Sequence, residues 1–203
     1  MFDVPPPDWP LLSLALAACA AAAFTPGPNN TICMSAAASF GFRSALPFAF
    51  GVTAGFPLLL AAMGLGLGEL LSRAPQLHLF IKIGGSIFLL HMAWRIAVSR
   101  GFGKSQNDAP GFARGVLFQW VNPKALAYST SIVAAFARPG DSWVSDVFYL
   151  TAISAAVALA STLTWAGFGA GIRHALQTPR SLAIFNGVMG AMLALAALGI
   201  LFS

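Results

Sequence analysis

The sequence predicts an all-α, polytopic membrane protein with six transmembrane helices, arranged as two inverted three-helix repeats in which helices 1 and 4 are broken. Three observations predict it. Charged residues make up only 8% of the chain and apolar residues 58%, whereas a soluble domain carries roughly 25% charged residues. Six stretches each hold the ~20 mostly apolar residues that a spanning helix needs: 11–34, 45–67, 77–98, 113–137, 144–171 and 182–202. The first and fourth contain helix breakers at a spacing close to half of the 203 residues.

The first span begins after a flank that holds Asp3 and Asp8 but no Lys or Arg. Leu11 to Ala23 resembles the apolar core of a signal peptide, but a signal needs a positive n-region. It reads as a retained span. Cys19 and Cys33 are 14 residues apart, about 20 Å along a continuous helix at ~1.5 Å per residue, beyond the ~7 Å Cα separation that a disulfide tolerates. Both read as packing residues. Pro26-Gly27-Pro28 then breaks the span, because proline removes an amide donor and clashes with the preceding turn.

The second span carries Gly51-Val-Thr-Ala-Gly55, a close-packing motif. Gly64-Leu-Gly-Leu-Gly68, at its end, lacks the strand-turn-helix setting of a nucleotide fingerprint. The third span holds Lys82, His91 and Arg95. The longest connection, about 99–111, falls at the chain midpoint and holds Gly101, Gly103, Lys104, Asn107, Asp108 and Pro110. The fourth span is broken at Asn122-Pro123-Lys124. The sixth carries Gly187-Val-Met-Gly-Ala191, a second small-residue motif. A second copy of the chain would suit these motifs as well as a neighbouring helix, so a homo-oligomer is left open. Trp94, Trp120, Trp143 and Trp165 read as interface or packing aromatics.

Pro28 and Pro123 are 95 residues apart. Lys82-Ile-Gly-Gly85 and Phe185-Asn-Gly-Val188 match weakly in spans three and six. Three spans per half force the second half to insert upside down, the plan in which interrupted helices at corresponding positions mark a binding site. A chance pair of proline kinks is the alternative, since proline is frequent in membrane helices. Residues 1–203 form a single transporter domain, with repeat one about 1–100 and repeat two about 110–203.

Loop charge sets the orientation. Arg43, Arg95, Arg100, Lys104, Arg114, Arg173 and Arg180 fall on one side, and Arg73 and Arg138 on the other. Cytoplasmic loops carry the excess, so both termini are expected outside, with Asp3, Asp8 and Asp141. The net charge is only +5 and no stretch concentrates it into a phosphate-tracking face, which excludes nucleic-acid binding. The partners expected are the lipid bilayer and a small solute.

The candidate site follows from the two breaks. Opening the helix at Pro26, Gly27 and Pro28 frees backbone carbonyls, which must face protein or a water-filled cavity. Asn29 and Asn30 can cap the second half-helix, or bind a carboxylate and an ammonium at the break. Beside Asn122 and Pro123, Lys124 sits near the middle of its span, where a charge is costly and marks a functional site by default. It suits a substrate carboxylate or a coupling role; a structural pair with the carbonyls freed around Pro26–Pro28 is the alternative. Tyr128 is one turn on, on the same face. No acidic residue lies deep in a span, so proton coupling falls to Lys124, Lys82 or His91. His91 also reads as a hydrogen-bonded packing histidine, Lys82 as a snorkelling one, and Arg95 as an interfacial anchor. His78, His91 and His174 are scattered, which leaves no intramembrane catalytic set. Neither a metal set nor a cofactor is expected. The competing transport class is a heavy-metal or inorganic-ion exporter, which should show clustered Cys, His or Asp. A channel or scaffold is the remaining class.

Thr25-Pro-Gly-Pro-Asn-Asn30, Gly41-Phe-Arg43, Lys82 with Gly84-Gly85, Ala93-Trp-Arg95 and Asn122-Pro-Lys-Ala125 resemble the LysE/RhtB family of amino-acid exporters across essentially the whole chain. The strings Gly41-Phe-Arg43-Ser44 and Ala93-Trp-Arg-Ile-Ala-Val-Ser99 most resemble its cysteine/O-acetylserine branch. The resemblance implies a multi-pass protein of the bacterial inner membrane that exports small amino acids or their derivatives, driven by the proton gradient. Two departures stand out. Gly55-Phe56-Pro57 lacks the acidic residue that many members carry there, and Gly85-Ser-Ile-Phe-Leu89 lacks a tyrosine common in the family.

Overall fold

Prolines and glycines decide where the helices start, bend and touch. The computed structural model describes residues 6–99, 109–176 and 178–202. Asp3, Arg100, Gly101, Gly103, Lys104, Asn107 and Asp108 lie outside them, as does the side chain of His78.

Helix α1 (Trp9–Phe24) starts at Asp8, whose carboxylate accepts from the Leu11 amide at 3.0 Å. Pro10 follows in the first turn, where no amide donor is needed. The helix stops at Thr25, and α2 (Pro28–Phe40) restarts on Pro28 at an angle of 53°. Gly41, at φ +95°, makes the one-residue corner into α3 (Phe42–Ala62). That helix runs on through a wide turn at Met63–Leu67, where Gly66 takes φ +125°, into α4 (Gly68–Arg73). Positive φ values of this kind are cheap only for glycine. The remaining helices are α5 (Pro75–Ala97), α6 (Phe112–Gln119), α7 (Pro123–Phe136), α8 (Trp143–Ala175) and α9 (Pro179–Phe202). Among the described residues there is no strand.

Among the described residues four helical stretches are long and apolar enough to cross a membrane: Phe42–Leu71, Leu79–Ala97, Trp143–Ala175 and Pro179–Phe202. The bent pair α1 and α2 makes a fifth candidate. At 8 and 14 residues, α6 and α7 are each too short to cross a core of about 30 Å alone.

Helix α5 packs along α9, α3 lies between α8 and α6, and α2 lies against α8. Glycines set the closest approaches. A Cβ on Gly51 would meet the Phe112 carbonyl, one on Gly55 would come 2.7 Å from Val116, and one on Gly115 would come 2.9 Å from the Cα of Gly51. Backbone therefore rides on backbone at the α3–α6 crossing. The expected small-residue contact in the last helix needs a correction. A Cβ on Gly187 would touch nothing and Ala191 is exposed, whereas Gly190 meets Ala93 and Ala97 of α5. The 3.6-residue period explains the shift: Gly190 shares the buried stripe of Asn186, Leu193 and Ala197, and Gly187 is one step off it.

Among the described residues three apolar clusters result. One joins α2, α3, α5, α6, α8 and α9 around Phe48, Leu89, Phe118 and Leu193. A second joins α1, α3, α7 and α8 around Leu12, Leu60, Ile132 and Leu150. A small third one joins Leu59, Met63 and Ala125.

Candidate functional site

The chain opens a cavity where the two broken segments meet. Ala22, Ala23, Gly27, Pro28, Asn29 and Asn30 line it from the α1–α2 break, and Asn122, Lys124, Ala125 and Tyr128 from the α6–α7 break. Helix α3 adds Val52 and Phe56, and α8 adds Ala158, Ser161 and Thr162. The centre of a water molecule can move through about 70 Å³ of it. Holding one water needs roughly 10–15 Å³, so the space is open to solvent and small solutes.

Of the expected site residues, Gly27, Pro28, Asn29, Asn30, Asn122, Lys124 and Tyr128 are thus brought together. Pro26 and Pro123 shape the two breaks without lining the cavity. Lys82 and His91 lie elsewhere: both belong to α5, where Lys82 is half-buried and His91 exposed, and neither lines the cavity.

The break frees carbonyls, and those of Ala21, Ala23 and Thr25 find side-chain donors. Thr25 Oγ1 donates back to Ala21 O at 2.6 Å. Asn30 Nδ2 donates to Ala23 O at 2.8 Å and to Thr25 O at 3.0 Å. Ser161 Oγ reaches Ala23 O from α8 at 2.7 Å. Lys124 Nζ reaches Thr25 O from α7 at 3.1 Å. Asn30 therefore closes the end of α1 rather than capping the start of α2, whose N-cap is Gly27. The Lys124 contact also makes the expected pairing with a freed carbonyl real. A Cβ on Gly27 would sit 2.9 Å from Lys124 Nζ and 3.1 Å from its Cδ, so glycine there makes room for the lysine stem.

Two residues that the sequence reading passed over hold the breaks together. Gln119, fully buried at the end of α6, exchanges bonds with Asn29: Asn29 Nδ2 donates to Gln119 Oε1 at 2.9 Å, and Gln119 Nε2 to Asn29 Oδ1 at 3.1 Å. Gln119 Nε2 also donates to Gly115 O at 2.9 Å. A carbonyl accepts only, so this last bond fixes which way both amides face. The second residue is Ser161, whose Oγ also lies 3.4 Å from Asn30 Oδ1. A polar amide four residues before Gly-free Pro123 was the available signal for Gln119. One serine among several hydroxyl residues of a long apolar helix gives no such signal.

The cavity carries positive charge. Lys124 is the one charged side chain lining it among the described residues. Helices α2 and α7 both begin at the cavity, and helix starts present unpaired amides and a partial positive charge. Asn122 Oδ1 caps α7 by accepting from the Lys124 amide at 3.2 Å. The last carbonyls of α1 lie against this group and are taken up by protein donors: Thr25 O accepts from Lys124 and Asn30, and Ala23 O from Asn30 and Ser161. One wall is aromatic, with the Phe56 and Tyr128 ring centroids 5.2 Å apart. Among the described residues no three His, Cys, Asp or Glu side chains gather as a metal site.

Known proteins share this sequence pattern. Residues 20–203 match the family model described as LysE type translocator. The chain belongs to the LysE-type translocator family. It is similar to proteins named cysteine/O-acetylserine efflux protein from several bacteria. The Klebsiella pneumoniae protein is 31% identical over 148 residues, 71% of this chain and 74% of the relative. The Salmonella typhimurium protein is 28% identical over 146 residues, with the same coverage of both chains. An Escherichia coli relative is 27% identical over 146 residues, again with that coverage. No solved structure matches the chain.

Proposed function

We propose that this translocator exports small zwitterionic amino acids or their derivatives, in the size range of cysteine and O-acetylserine, from the bacterial cytoplasm across the inner membrane. The observation that carries the reading is a cavity in which one lysine sits beside two helix starts. A substrate carboxylate suits Lys124 and the helix starts at Asn29 and Ala125, since anions are favoured at helix N-termini. A substrate ammonium suits the aromatic faces of Phe56 and Tyr128. The aromatic and alanine walls suit a short side chain. The names of the relatives point to the same substrates.

The architecture we infer is six spans in two inverted repeats, with α1–α2 and α6–α7 as the broken first and fourth. The packing of presumed counterparts, α3 on α8 and α5 on α9, supports a pseudo-twofold relation. We place both termini outside on the loop-charge bias. We assign coupling to the proton gradient, with Lys124 as the proton carrier, because the cavity offers no carboxylate.

Inside-out vesicles test the reading. Labelled O-acetyl-L-serine should accumulate in vesicles bearing the protein when a proton gradient is imposed, and collapse of the gradient should stop it. Lys124→Arg keeps a cation but does not deprotonate, so it should abolish the gradient dependence. Accumulation of metal ions, with no amino acid moved, would point to the ion-exporter class.

A further inference from the structure

Beyond the cavity, the same three helices α1, α7 and α8 are fastened at the end that carries the start of α1. Arg138, just past α7, grips Asp146 in the first turn of α8: Nε and Nη2 donate at 2.8 Å each, and the Arg138 amide donates to the same carboxylate at 2.9 Å. Asp8, the N-cap of α1, completes the cluster at 3.8 Å from Arg138 Nη1. Asp146 is buried, with its side chain 3% exposed, and bidentate arginine–carboxylate pairs are the strong kind.

Deeper in, these helices meet through polar groups in an otherwise apolar core. Cys19 Sγ lies 3.8 Å from Ser154 Oγ, and Tyr128 adjoins both while also lining the cavity. One turn from Ser154, Thr151 keeps a buried hydroxyl with no hydrogen-bond partner, and Ser129, next to Tyr128, does the same. Other helix threonines here bond the preceding turn, as Thr53, Thr130, Thr162 and Thr164 do. Buried polar groups without partners are rare and call for a reason.

From Cys19 to Asp8, Tyr128 to Arg138 and Ser154 to Asp146 there are 11, 10 and 8 residues, about 12–16 Å at ~1.5 Å per residue. That is about half of a ~30 Å bilayer core.

We propose that the route from the cavity to this face of the membrane runs between α1, α7 and α8 past Tyr128, Cys19 and Ser154, and that the Asp8–Arg138–Asp146 cluster holds it shut. The orphan hydroxyls gain partners when water or solute enters. The solute that passes is the one the exporter reading supplies, so the route rests on that reading, but its opening can be measured without substrate.

In the Cys33→Ser chain reconstituted in lipid nanodiscs, a charged methanethiosulfonate reagent reads the accessibility of Cys19. Arg138→Gln should raise its modification rate at least tenfold. In the Cys19→Ser chain the same substitution should leave Cys33 unreactive. An unchanged Cys19 rate overturns the proposal. If Arg138→Gln loosens the whole bundle, both cysteines gain reactivity together, and Ser154→Cys decides. In the Cys33→Ser background, oxidation should join Cys19 to residue 154, stop O-acetyl-L-serine export, and be reversed by dithiothreitol. A cross-linked chain that exports at the reduced rate places the route elsewhere. If the reduced chain moves no O-acetyl-L-serine, the exporter reading falls and the labelling rates alone judge the route.

Discussion

Gly27 offers a way to move Lys124 without touching its charge. Its φ of −170° is extended backbone that any residue adopts, so a side chain there meets no backbone strain. It does meet the lysine: a Cβ would come 2.9 Å from Nζ and 3.1 Å from Cδ. The flexible stem would swing aside and give up the 3.1 Å bond to Thr25 O. A hydrogen bond to a charged group is worth about 1.5–3 kcal/mol. The ammonium is open to cavity water, which puts the expected loss at the low end, about tenfold in transport at ~1.4 kcal/mol per decade. Alanine would also weaken the start of α2, because it is a poor N-cap, whereas serine is among the best. Gly27→Ser therefore separates the two effects. The expected outcome is a thermal midpoint in detergent equal to or above that of the parent, with export of O-acetyl-L-serine reduced about tenfold. A Gly27→Ser protein that transports at the parental rate would refute the link between the lysine's position and its role.

Three other outcomes are expected. Asn29→Ala and Gln119→Leu should each raise the half-saturating substrate concentration, and the double variant should be no worse than Asn29→Ala alone, because Gln119 acts by orienting Asn29; additive losses in transport kinetics would mean independent roles. Gly85→Ala should lower the thermal midpoint by several degrees, since its Cβ would collide with the Val121 carbonyl and overpacking costs about 1–3 kcal/mol, while Gly84→Ala, which meets nothing within 4 Å, should melt with the parent. A phosphatase active only outside the cytoplasm should be active when fused to the C-terminus; a silent fusion together with an active cytoplasmic reporter would reverse the orientation.

Much of the site was legible because its residues break helical rules. Proline at 26, 28 and 123, and a lysine deep in an apolar stretch, are anomalies that a membrane helix shows only for a reason. Those signals located both breaks and seven of the cavity's lining residues. The rest was hidden because it obeys the rules. Ser161 and Thr162 are ordinary in a helix, and Ser161 takes on its role only through Ala23 and Asn30, 138 and 131 residues away. Val52 and Phe56 are apolar residues in an apolar helix. Asn30 was legible as polar at a break but not in direction: it reaches back to α1 because the two freed carbonyls there outweigh a cap that Gly27 leaves to the backbone. Arg138 read as a loop charge, and only the fold shows that it gives the Asp146 carboxylate three donors.

The most direct test of the account is the initial rate of labelled O-acetyl-L-serine uptake into inside-out vesicles carrying the parent or Lys124→Met at equal, correctly inserted levels. Methionine keeps the length of the side chain and removes its charge. The account predicts gradient-driven uptake in the parent and loss of at least nine-tenths of it in the variant. Equal rates with the same pH dependence would show that Lys124 serves only to pair the Thr25 carbonyl, and that the cavity does not recognise its substrate through that charge.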